Sequence, residues 1–97
     1  MSAYVIANIE VTDPQAYEQY RSRTLGTIEQ FGGRFLVRGG AHEVKEGSWQ
    51  PHRLIMLQFP DMATARRWYD SLAYQSIIPY RSGAAKTDLV LVEGLPA

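Results

Sequence analysis

Polar and apolar positions alternate over Ala3–Val11, with Val5, Ala7, Ile9 and Val11 on one side and Tyr4, Ile6, Asn8 and Glu10 on the other. A period of two predicts a strand whose first set is buried. Asp13-Pro14 then starts a helix, with Asp13 as N-cap and Pro14 at the first helical position, where its missing N–H costs nothing. Tyr17, Tyr20, Thr24, Leu25, Ile28 and Phe31 trace the apolar face of that helix, and Gly32-Gly33 ends it. Phe35 and Val37 alternate with Arg34, Leu36 and Arg38 in a second strand, set between Gly32-Gly33 and a second glycine pair, Gly39-Gly40. Residues 39–51 are polar and glycine-rich, which predicts a connection. From His52 onward, Ile55, Leu57 and Phe59 face one way and Leu54, Met56 and Gln58 the other, a third strand that stops at Pro60. Asp61 caps a second helix with Met62, Ala65, Trp68, Tyr69 and Leu72 as its apolar stripe. Residues 71–80 read as a short irregular or helical continuation closed by Pro79, residues 83–87 as a loop, and residues 89–92 as a last strand.

The predicted order is βαββαβ, the ferredoxin-like split motif of the α+β class. Right-handed crossovers then give a four-stranded antiparallel sheet with both helices on one face. Val5, Ala7, Ile9, Phe35, Val37, Ile55, Leu57 and Phe59 are expected to face the helices. Tyr4, Ile6, Leu36, Leu54 and Met56 are left on a face that no helix of this chain can cover. An apolar face of that size marks an association surface. The expected partner is a second copy, two sheets packing face to face as a homodimer.

Composition narrows the picture. Ninety-seven residues fit one domain, 1–97, and the 10 basic and 10 acidic side chains cancel with no basic stripe. Nucleic acid is therefore not an expected partner, since phosphate neutralisation leaves a clustered positive footprint. The chain has no cysteine, which removes disulfides, thiolate catalysis and cysteine metal sites and fits a reducing cytoplasm. Met1-Ser2-Ala3-Tyr4 does not read as the start of a signal peptide. No apolar stretch approaches the roughly 20 residues that cross a bilayer, so no membrane partner is expected.

Several stretches together resemble the domain of unknown function 1330 family: residues 33–40, residues 46–53, Phe59-Pro60, Trp68-Tyr69-Asp70-Ser71 with Tyr74-Gln75, and Arg81. The resemblance spans nearly the whole chain and implies a dimeric α/β barrel. It implies no single reaction, because the wider superfamily includes cofactor-free monooxygenases, decarboxylating or isomerising enzymes, haem-degrading proteins, stress proteins and members without known activity. At Leu72-Ala73, where family members more often carry Pro-Glu, this chain lacks the acidic group.

In the ferredoxin-like order, Asn8, Arg38, His52, Tyr74 and Arg81 are expected at one edge of the sheet. Asn8 is the only asparagine; it either offers an amide to a ligand or satisfies a strand end. Arg38 either grips a carboxylate or enolate oxygen with its two-pronged guanidinium or pairs with Glu10 or Glu46. Asn8 and Arg38 are expected to point away from the helices and to converge there with Tyr74 and Arg81. Those two flank a pocket mouth, or else pack a helix end and cap a carbonyl. His52 can move a proton near neutral pH, or is a surface residue at a strand start, and His42 reads as a solvated loop residue. Trp68 belongs to the core, and Trp49 lies over the pocket or against the dimer partner.

Two histidines without a ligand spacing make no metal motif, and no dinucleotide fingerprint, phosphate loop or nucleophile elbow occurs. No metal, haem, flavin or nicotinamide cofactor is expected. The reading is an uncharacterised domain that binds a small anionic or enolisable molecule between the sheet and the segment after the second helix. Asn8, Arg38, Tyr74 and Arg81 are its ligand-binding candidates. The alternatives are a cofactor-free monooxygenase, isomerase or decarboxylase, with His52 and Arg38 as catalytic candidates, and a non-catalytic structural or stress-related dimer.

Overall fold

The alternation at the start of the chain becomes strand β1, Ala3–Val11, in which Ala3, Val5, Ala7 and Ile9 are buried in turn. In the computed structural model, which describes residues 1–96, this strand lies inside the sheet. Helix α1, Pro14–Gln30, follows at once, with Asp13 Oδ1 accepting from the Ala16 N–H at 3.1 Å. It ends where Gly32 takes φ +71°, a left-handed turn in which side-chain-bearing residues are strained. Strands β2, Arg34–Arg38, and β3, Arg53–Phe59, come next, and then α2, Met62–Asp70, with Asp61 as its cap. The sheet order is β2-β3-β1-β4, antiparallel throughout, where β4 is Ala85–Glu93. This is the ferredoxin-like order, with two short helices, α3 (Leu72–Gln75) and α4 (Ile78–Ser82), placed before the last strand.

The core lies between the sheet and the helices. Val5, Ala7, Ile9, Leu57 and Phe59 meet Tyr17, Tyr20 and Ile28 of α1 and Ala65 and Trp68 of α2. Trp68 packs on Phe59 with ring centroids 5.3 Å apart and donates its indole N–H to Thr27 Oγ1 at 3.1 Å. A buried Trp needs such a partner, because an unpaired N–H in the core forfeits its hydration.

Four local expectations are corrected. Leu25 is 41% exposed and Leu72 85% exposed, so neither belongs to an apolar stripe. The helical path breaks at Ser71 (ψ 150°), whose hydroxyl then caps α3, and Leu72 is carried outward. Pro79 opens α4 instead of closing the segment, in the first turn where no N–H is needed. Finally, β4 begins at Ala85. Its polar start hides a period of two in which Thr87, Leu89 and Leu91 are half-buried and Lys86, Asp88, Val90 and Val92 are exposed.

A larger correction concerns β2. Phe35 pairs with Leu57 and Val37 with Met56, so the register slips by one residue at Leu36. This β-bulge reverses the faces beyond it. Val37, expected inward, shares the open face with Met56, while Arg38, expected outward, sits opposite Ile55 on the helix face. The open face then carries Tyr4, Ile6, Leu54 and Met56 together with Val37, Val90 and Val92.

Phe59→Ala should lower stability by about 3–5 kcal/mol, the usual cost of deleting a buried aromatic ring. Urea unfolding followed by circular dichroism measures it. A loss below about 1 kcal/mol would mean that the Phe59–Trp68 contact does not hold α2 to the sheet.

Candidate functional site

Strand parity decides which polar groups reach the interior. Arg53, the first residue of β3, pairs with Ile9 and therefore lies on the helix face. Next to Arg38 the chain turns at Gly39 (φ +71°), and a Cβ there would run into the Arg53 guanidinium. Glycine at this position is what gives Arg53 its room. The Nε of Arg53 is buried and has no hydrogen-bond partner. Arg38 donates from Nη2 to the Arg21 carbonyl at 3.0 Å and lies 4.3 Å over the Phe35 ring. Loss of hydration, together with the nearby charges of Arg21 and Arg53, lowers its pKa from the ordinary value.

A second cationic group comes from the segment after α2. Arg81, in α4, donates to the Tyr74 hydroxyl at 2.9 Å and to the Tyr20 hydroxyl at 3.5 Å, and these two hydroxyls are 2.8 Å apart. Its guanidinium lies 5.2 Å over the Tyr20 ring. Burial alone would lower the pKa of Arg81, but the Tyr74 and Tyr20 phenols raise it above the ordinary value. Burial and the neighbouring Tyr20 push the Tyr74 phenol far up. Burial and Tyr20 also push the Tyr17 phenol up, against the pull of Arg53 and Arg81.

These groups surround one cavity between the sheet and α1. Its floor is apolar, formed by Val5, Ala7, Ile9, Ile55, Leu57 and Leu89, and Tyr17, Tyr20 and Thr24 of α1 form its roof. Arg21, Arg38, Arg53 and Arg81 line it, and no acidic residue does. Space open to the centre of a water molecule amounts to ≈ 30 Å³, room for about two waters or one compact ligand group. A wider, shallower groove of ≈ 370 Å³ lies beside it along β4 and α2, and Arg81 and Leu89 line both. Among the described residues, none of Arg38, Arg53 and Arg81 pairs with a carboxylate. No group of three or more His, Asp or Glu side chains that could hold a metal comes together there either.

Arg38 and Arg81 thus line the same cavity, on the helix side of the sheet and not on the outer face where they were expected to meet Asn8. Tyr74 is fully buried behind Tyr20 and holds Arg81 without lining the cavity itself. Asn8 lies on the opposite face, paired with Leu54 and Asp88, and its Oδ1 accepts the His52 backbone N–H at 2.8 Å, the strand-end role. His52 is exposed, with Nε2 3.8 Å from Glu10 Oε2, and the structure does not bring it to the cavity. Trp49 is 60% exposed in the connection between β2 and β3. The sequence reading missed Arg53, Tyr17 and Tyr20. Arg53 shares the parity of Ile55, Leu57 and Phe59, and an arginine in the buried register of a strand was a signal for it.

The profile of the domain of unknown function (DUF1330) matches residues 2–95. The chain belongs to this family. No curated protein matches the sequence significantly. Among solved structures, the DUF1330 chain resembles RPA0582, a protein of unknown function from Rhodopseudomonas palustris, at 14% identity and TM-score 0.73, over 99% of this chain and 84% of that one. It also resembles a dimeric ferredoxin-like protein of unknown function from Jannaschia sp. CCS1, at 13% identity and TM-score 0.68, over 97% and 100% of the two chains. SnoaB, a cofactor-independent oxygenase from Streptomyces nogalater, matches at 12% identity and TM-score 0.65, over 99% and 95%. At these identities the likeness establishes the ferredoxin-like α+β fold and nothing about chemistry. No helix of the described DUF1330 residues is long and apolar enough to cross a membrane.

Gly39→Ala should destabilise the domain by about 1–2 kcal/mol through the left-handed backbone alone, and should also displace Arg53. Chemical denaturation reads the first effect. Amide chemical shifts around Arg53 and Tyr17 read the second, and unchanged shifts would refute the close approach.

Proposed function

We propose that this DUF1330 domain binds a small organic anion, or an enolisable compound that becomes one, in the cavity between its sheet and α1. One observation carries the reading: arginine side chains from β2, β3 and α4 line an apolar cavity whose lining includes no carboxylate. A desolvated guanidinium favours a negative partner, and its planar fork suits a carboxylate or enolate. Binding is favoured over catalysis because the proton-bearing side chains lining the cavity, besides the arginines, are Tyr17, Tyr20, Thr24 and Trp68, whose indole N–H is already given to Thr27. The Tyr17 phenol is raised from its ordinary value, which makes it a poor general base near neutral pH. Both histidines lie outside the cavity lining. An absence of cysteine suits a reducing cytoplasm as the compartment.

The same domain is proposed to work as a homodimer closed through the open sheet face. Val90 and Val92 are 56% and 43% exposed beside Tyr4, Ile6 and Met56. Covering that face with a second copy removes the apolar patch from water, and a stable interface buries roughly 1,200–2,000 Å² in all. The similar protein from Jannaschia is dimeric, which supports the reading.

Two measurements test these proposals. Wild-type protein should show a higher melting temperature with carboxylate compounds at fixed ionic strength, and Arg38→Met should reduce the response. Equal responses from both proteins would remove Arg38 from the site. By light scattering, the wild type should have twice the mass of one chain, and Ile6→Asp should shift it to monomer or aggregate by placing an unpaired charge in the interface. A concentration-independent wild-type monomer would end the dimer proposal.

A further inference from the structure

The sheet has two edges, and the chain treats them differently. Strand β2 is 5 residues long and its register breaks at Leu36, two devices that keep a sheet edge from pairing with another chain. Strand β4 is 9 residues long, contains no proline, and pairs with β1 without a break. No strand of this chain lies on its outer side.

The register decides which backbone groups are free there. The Thr12 N–H donates to the Ala84 carbonyl and the Gly94 N–H to the Ser2 carbonyl, both at 2.8 Å. Along an antiparallel pair, residues that exchange hydrogen bonds alternate with residues that do not. Lys86, Asp88, Val90 and Val92 therefore turn their backbone groups to β1, and Ala85, Thr87, Leu89 and Leu91 turn theirs outward. The side chains of Thr87, Leu89 and Leu91 line the open groove of ≈ 370 Å³ beside α2, which leaves space on the helix side of this edge. On the other face, Lys86 and Asp88 are exposed and, among the described residues, form no ion pair. Glu10, opposite Lys86 on β1, approaches His52 instead.

A lysine on a bare edge normally deters a neighbouring strand. Here Asp88, two residues further on, makes the edge complementary to itself. We infer that β4 pairs edge to edge with β4 of a second copy, antiparallel about a two-fold axis at Thr87. In that register Lys86 faces the partner's Asp88, and Asp88 faces the partner's Lys86. Opposite charges placed directly across a strand pair are favourable, and the outward N–H and C=O groups of Ala85, Thr87 and Leu89 find hydrogen-bond partners in the same groups of the second strand. Moving the axis to Leu89 would set both charges opposite valines. The contact is separate from the face-to-face packing proposed above, which covers the open face and leaves this edge bare, and it does not depend on a ligand.

Sedimentation equilibrium over a concentration series tests this. Two paired strands bury less than a standard interface, so the wild type should double its mass between the lower and the upper end of the series. Thr87→Pro removes an outward N–H that β1 does not use, a change tolerated on an edge strand, and should abolish the doubling. Lys86→Asp sets like charges opposite one another on both sides of the axis and should weaken the step by about tenfold. Lys86→Asp together with Asp88→Lys should restore it to within about threefold of wild type. Circular dichroism checks that Thr87→Pro is folded, and if it is not, the two surface charge variants decide alone. No doubling in wild type, a doubling that survives in folded Thr87→Pro, or a double variant no better than Lys86→Asp would each overturn the edge pairing. A wild type that doubles from one chain instead of two, with the variants behaving as expected, would end the face-to-face dimer and support the edge pairing.

Discussion

A side chain on a strand must point to one face of its sheet or the other, and here the two faces have different neighbours. One face meets the helices and encloses the cavity, while the other presents Tyr4, Ile6, Met56 and Val90 to the outside. The two demands conflict within β2. Phe35 is needed under the helices, and strict alternation would send Arg38, three residues on, to the opposite face. The slip at Leu36 resolves the conflict, so that Phe35 and Arg38 both face inward and Val37 joins the apolar outer face. Without the bulge, the cavity would lose Arg38 and a proposed interface would gain a charge.

The arginine cluster is costly in isolation, since each guanidinium gives up hydration and sits near another of the same sign. Its cost is lowered by neutral groups. The Arg21 carbonyl and the Phe35 ring serve Arg38, and the Tyr20 and Tyr74 hydroxyls serve Arg81. Carboxylate partners would have lowered it further and would have cancelled the field in the cavity. Among the described residues, Arg21 is the one cavity-lining arginine with a carboxylate partner, Glu18 at 3.4 Å on the solvent side, and Lys45 pairs with Glu43 in the exposed connection. A chain with no net charge therefore gathers four arginines around one hollow, the arrangement on which the proposed anion binding rests.

Much of the fold was legible because its signals are local. The alternation of β1 and β3, the two aspartate caps and the glycine stop after α1 are each set by neighbours within a few residues. The bulge was not legible, because a bulge is a relation between two strands and leaves no mark in one. Lys86 and Asp88 hid the beginning of β4, since its outward residues there are charged while Val90 and Val92 further along are apolar. The site was legible only in part. Arg38 and Arg81 were singled out, but the face assigned to Arg38 depended on the register that the bulge changes. Arg53 stood in the buried parity of the third strand and was not among the site candidates.

Asn8 acts on the other side of the sheet, and its position still bears on the cavity. Residues 39–52 leave the sheet after Arg38 and return to it just before Arg53, and every side chain from Glu43 to Gln50 is exposed. Both ends of this excursion are tied to the sheet by hydrogen bonds. The Gly39 N–H donates to the Leu54 carbonyl at 2.8 Å, and the His52 N–H donates to Asn8 Oδ1 at 2.8 Å. The first bond holds the turn that makes space for the Arg53 guanidinium, and the second fixes the residue at which β3 begins. Since alternation sets the face of every residue after that start, the Asn8 amide constrains Arg53 to the helix side without touching it. An exposed connection can then vary in sequence and conformation while Arg38 and Arg53, at its two roots, keep their positions at the cavity.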